Sequence, residues 1–83
     1  MAPDPGANIL ALKAAIAAAL QASSLPDQFQ ALVLRRIQTS PEPVETALLL
    51  LTEFQDRANV TDAEFITASE LAARIRALQR QSR

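Results

Sequence analysis

The carboxylates Glu42, Glu45, Glu53, Asp56, Asp62, Glu64 and Glu70 supply the general acid–base candidates of this chain. Proton transfer to a reacting group works best when a carboxyl is held near the operating pH, which a second carboxyl close by can do. Glu42, Glu45, Glu53 and Asp56 recur at spacings that set them on one side of a helix, opposite the apolar stripe of Val44, Leu51 and Phe54. A paired-carboxylate site is one reading. The plainer one is the solvated face that any surface helix presents. Nothing stands beside these acids to complete a reaction centre. Histidine and cysteine are absent, so there is no imidazole or thiolate for a metal and no Cys–His or Ser–His pair. The single glycine, Gly6, excludes a glycine-rich phosphate loop. A chain with no catalytic residues, no cofactor, no metal and no small-molecule substrate is the expectation.

The cations read differently. Arg74, Arg76, Arg80 and Arg83 crowd the last ten residues, and Arg35 and Arg36 adjoin each other further upstream. Clustered arginines can hold phosphates. No aromatic side chain is interleaved with them for base stacking, and a net charge of −1 gives no global attraction for nucleic acid or an anionic membrane. Glu70 and Arg74 have the spacing of an intrahelical ion pair. Arg36 falls close to the apolar side of its segment, where its stem can lie along the core edge with the charge in water. The stretch Ile66-Thr67-Ala68-Ser69-Glu70-Leu71-Ala72-Ala73-Arg74 resembles the first helix of a helix-turn-helix. The resemblance implies a small nucleic-acid-binding regulator that works through the C-terminal arginines. No turn and no recognition helix follow the stretch within the chain, so this stands as the alternative reading. An arginine edge that faces an acidic protein surface fits the residues better, and a plain solvated helix end fits them better than either.

The elements that carry these side chains are helices. At 83 residues the chain makes one domain with one modest core. Its 49% hydrophobic content is globular, and Ala, Leu, Gln, Glu and Arg, all good helix formers, dominate. Met1 to Gly6, with two prolines and a glycine, read as a flexible N-terminus ahead of a single helical domain over 7–83. Ile9, Leu12, Ile16 and Leu20 make the stripe of a first helix over 7–22. Leu25, Phe29, Leu32, Val33 and Ile37 mark a second over 25–39, with Ser24 as its N-cap and Pro26 in its first turn. Val44, Ala47, Leu48, Leu51, Phe54 and Ala58 mark a third over 41–58. Ser40 would cap it, Pro41 would open it, and Asn59 would close it in a left-handed conformation. Thr61 and Glu64 have capping-box spacing, and Val60 and Phe65 flank them as a hydrophobic staple. They start a fourth helix over 61–81, with Ala68, Leu71, Ala72, Ile75 and Leu78 on its inner face. The expected fold is all-α: a compact bundle of four short helices with up-down connections, able to dimerise.

The first helix points to function. Opposite its stripe lie Ala11, Ala14, Ala15, Ala18 and Ala22, and Lys13 and Gln21 are the only hydrophilic side chains between Ile9 and Ala22. A helix in a thin bundle keeps one side wet, and that side is normally polar. Methyl groups there admit a second helix at close range. Leu34 and Leu49 also fall off the stripes of their helices. Partner binding is therefore expected at Ala11, Ala14, Ala15, Ala18, Leu34, Leu49, Arg74 and Arg76. The function expected is that of a non-catalytic protein–protein interaction module: a docking domain, small chaperone or adaptor. It would act by homodimerisation or by holding an amphipathic helix of a partner. The absence of cysteine staples and of a basic signal start or a full-length apolar span places it in the cytoplasm, away from membranes.

Overall fold

The computed structural model describes residues 5–81 of the chain. Four helices follow one another: α1 (Pro5–Ala22), α2 (Asp27–Gln38), α3 (Pro43–Gln55) and α4 (Asp62–Gln81). The chain is all-α, as its composition and periodicity predict, and each helix falls within a few residues of its expected span. The departures have local causes.

Helix α1 begins at Pro5, so Pro5 and Gly6 are helical rather than part of a flexible start. A proline in the first turn loses no hydrogen bond, because its missing N–H would be unpaired there anyway. Residues 1–4 of that expected start lie outside the described residues.

Helix α2 starts two residues late. Pro26 takes the N-cap position with φ −57° and ψ 142°, and no side chain caps the helix, so Ser24 does not play that part. The first turn instead carries the acidic Asp27. The preceding Leu25 is drawn into the core at 3% exposure. The Gln30 side-chain amide then holds the bend by donating to the carbonyls of Ser23 (3.3 Å) and Leu25 (2.9 Å).

Helix α3 opens with Pro43, not Pro41. In the run Pro41-Glu42-Pro43 the residue ahead of the second proline is forced away from helical geometry. Glu42 accordingly sits at φ −129°, ψ 71° as the N-cap. Ser40 still organises the turn: its hydroxyl accepts from the Glu42 N–H at 3.0 Å and hydrogen-bonds the Thr46 hydroxyl at 2.7 Å. At the other end α3 stops at Gln55, before the expected Ala58. No described non-glycine residue has positive φ, so Asn59 is not a left-handed cap. The turn is closed by Arg57 N–H on the Phe54 carbonyl and Val60 N–H on the Arg57 carbonyl, at 3.2 and 3.4 Å.

The start of α4 follows its sequence signal. The Thr61 N–H donates to Glu64 Oε1 and the Glu64 N–H donates to Thr61 Oγ1, both at 3.1 Å. This is the reciprocal capping box. The Phe65 half of the staple stays 48% exposed.

The contacts run antiparallel around the bundle. Lys13 of α1 reaches Gln38 at the far end of α2. Phe29, early in α2, stacks on Phe54, late in α3, with ring centroids 4.5 Å apart. Gln55, at the end of α3, donates to Phe65 O and Ser69 Oγ near the start of α4. The core joins Ile16 and Leu20 to Val33, Ile37, Leu51 and Ile75, all nearly inaccessible. Each such side chain contributes about 1.5–3 kcal/mol by leaving water. Leu50, outside the predicted α3 stripe, is buried, while Leu48, within it, is half-buried. Helix α1 meets all three others, whereas α2 and α4 do not meet among the described residues. The bundle is thus sheared: α1 and α3 touch across the middle, and α2 and α4 flank them.

Candidate protein-interaction surface

Although α1 touches every other helix, only one side of it is covered. Ile16, Ala19 and Leu20 are buried, and Leu10, Ala11, Ala14, Ala18, Gln21 and Ala22 are exposed. Lys13 adds little polarity to that open side, because its ammonium is turned to the last carbonyl of α2 at 2.8 Å. Gln21 is then the one polar side chain among the exposed residues from Leu10 to Ala22.

Ala11, Ala15, Ala18 and Ala22 succeed one another at steps of four, three and four, which keeps them on one line along the helix. That line borders α4. Two shallow grooves mark the seam. One, of about 280 Å³, is lined by Ala19, Ala22, Ser23, Thr67, Glu70, Leu71 and Arg74. The other, of about 630 Å³, is lined by Ala15, Ala18, Ala19, Arg74, Ala77 and Leu78. Ala19 and Arg74 belong to both, so the two form a continuous furrow. Late α1 residues lie opposite early α4 residues and the reverse, which makes the two helices antiparallel.

Of the predicted interface residues, the structure brings Ala15, Ala18 and Arg74 together on this seam. Ala11 and Ala14 are exposed one turn before Ala15 and Ala18 and extend the strip toward the N-terminus. Arg76 is exposed too, but two positions along a helix is about 200° of rotation, so it looks away from Arg74. Leu34 is half-buried against the core on α2, which does not meet α4 among the described residues. Leu49 is 61% exposed on the outer side of α3 and does not line the furrow. Sequence reasoning missed Leu10, 67% exposed at the N-terminal half of α1. The available signal was its position off the Ile9–Leu12–Ile16–Leu20 stripe. It also missed Arg57, whose guanidinium lies 5.5 Å from the Phe54 ring centroid and 6.0 Å from that of Phe29. Arg36 is exposed at the last turn of α2, where its charge favours the helix C-terminus.

The acidic side of α3 resolves into one close pair. Glu42 and Glu45 stand at the N-terminus of α3, and the Glu45 carboxyl is raised above the usual carboxylate range by its hydrogen bond with Glu42, then by the charge of Glu42, then by slight desolvation. Glu53 and Asp56 sit two turns and more further along the helix, out of reach. Glu42 and Glu45 rim a hollow of about 190 Å³ whose other walls are Ile9, Leu12, Pro41, Pro43, Val44 and Gln79. Among the described residues no hydroxyl, thiol or cation lines it. Among the described residues no three His, Cys, Asp or Glu side chains gather to hold a metal ion, and no helix is long and apolar enough to cross a membrane.

No protein-family model matches the chain, and no curated protein or solved structure matches it significantly. The functional reading therefore rests on the surface itself.

Proposed function

We propose that this chain is a non-catalytic helical protein–protein interaction module, of the docking, adaptor or small-chaperone class, whose working surface is the α1–α4 seam. The observation that carries the reading is the methyl-lined outer side of α1. It is open at Leu10, Ala11, Ala14, Ala18 and Ala22, and its one cation is committed to α2. Exposed alanines cost little singly. A continuous strip of them beside a furrow admits a second helix backbone closely, at the 8–10 Å axis separation of packed helices. The acids of α3 lack the companion groups that acid–base catalysis needs, which supports a role without chemistry. The lack of cysteine fits a reducing, cytoplasmic setting.

The test is association by the intact chain. Sedimentation at rising concentration, or recovery of a defined complex on immobilised protein, should show a bound state. Ala15→Glu should weaken it at least tenfold while circular dichroism keeps its helical signal. A chain that binds neither itself nor any protein, with Ala15→Glu indistinguishable from the original, removes the reading.

A further inference from the structure

We draw no further inference here: the strongest candidate, the exposed Glu42–Glu45 carboxylate pair that rims the apolar hollow between α1 and the start of α3, is an acidic cluster at a helix N-terminus, and nothing in the structure shows what ligand it would hold.

Discussion

The ammonium of Lys13, in the middle of α1, donates to the carbonyl of Gln38, the last residue of α2, at 2.8 Å. One contact does two things. It satisfies a carbonyl that α2 leaves unpaired at its end and places a positive charge where the helix dipole favours one. It also draws the only cation of α1 away from the outer face, so the local packing of α1 on α2 makes that face more apolar than the composition alone suggests.

Replacement of Lys13 should therefore separate stability from association. Lys13→Met keeps the stem and removes the charge. It should cost about 0.5–1 kcal/mol in urea unfolding, with the difference shrinking as salt rises. Any association through the α1–α4 seam should be unchanged or slightly stronger. A large loss of binding with Lys13→Met would mean that the ammonium faces the partner and not α2.

The capping box at Thr61 and Glu64 gives a second expectation. Thr61→Ala should destabilise the fold by about 1 kcal/mol, and Thr61→Ser should restore most of that. Amide exchange in the first turn of α4 should accelerate in the alanine variant, since the Glu64 N–H loses its acceptor. Equal stability of all three proteins would show that packing of Ala68 and Leu71 alone fixes the start of the helix.

The same two ends of α4 and α3 show what could be read in the sequence and what could not. The Thr61–Glu64 start was legible because both partners of the cap lie within one turn and nothing distant competes. The α3 start was not, because two prolines offered two openings, and only the steric effect of Pro43 on Glu42 decides between them. The α2 start moved because Leu25 stands before Pro26, and a residue ahead of a proline disfavours helical geometry just as Glu42 does before Pro43; periodicity does not carry that effect. At the surface, Ala15 and Ala18 were legible as the reverse of an apolar stripe. Their meeting with Arg74 was not, since it depends on α1 and α4 running antiparallel side by side. Arg76, two residues from Arg74, shows the same limit: a cluster in sequence is split by helical rotation.

Phe54 tests the core at its most connected point. Its ring stacks on Phe29, and Arg57 covers the pair from solvent. Phe54→Ala should cost about 3–5 kcal/mol. For a domain of this size that is a large share of the stability, and chemical denaturation should find the variant largely unfolded. Arg57→Ala should cost only about 0.5–1 kcal/mol, the worth of an exposed cation–π contact. Arg57→Lys should recover part of it. Near-ultraviolet absorbance of the phenylalanines gives an independent reading of whether the ring pair survives.

The Glu42–Glu45 pair sets a pH dependence at the N-terminus of α3. The raised Glu45 carboxyl takes up its proton in the folded chain at a pH where the unfolded chain has already lost its own. In that window the folded state binds more protons, so stability falls as pH rises. The contribution is fully present below the ordinary carboxylate value and is gone once pH passes the raised one. The positive end of the helix dipole works against it, since it favours the ionised form. The net effect on stability should be small at so exposed a site, but the titration itself is directly visible. Carbon-13 NMR of the side-chain carboxyls should show Glu45 titrating above the usual carboxylate range. Glu42→Gln removes the neighbouring charge and should return Glu45 toward the usual range, while Glu53→Gln should leave it where it is. If Glu45 titrates within the usual carboxylate range in the original chain, the two acids at the start of α3 do not share a proton, and the expected pH dependence is absent.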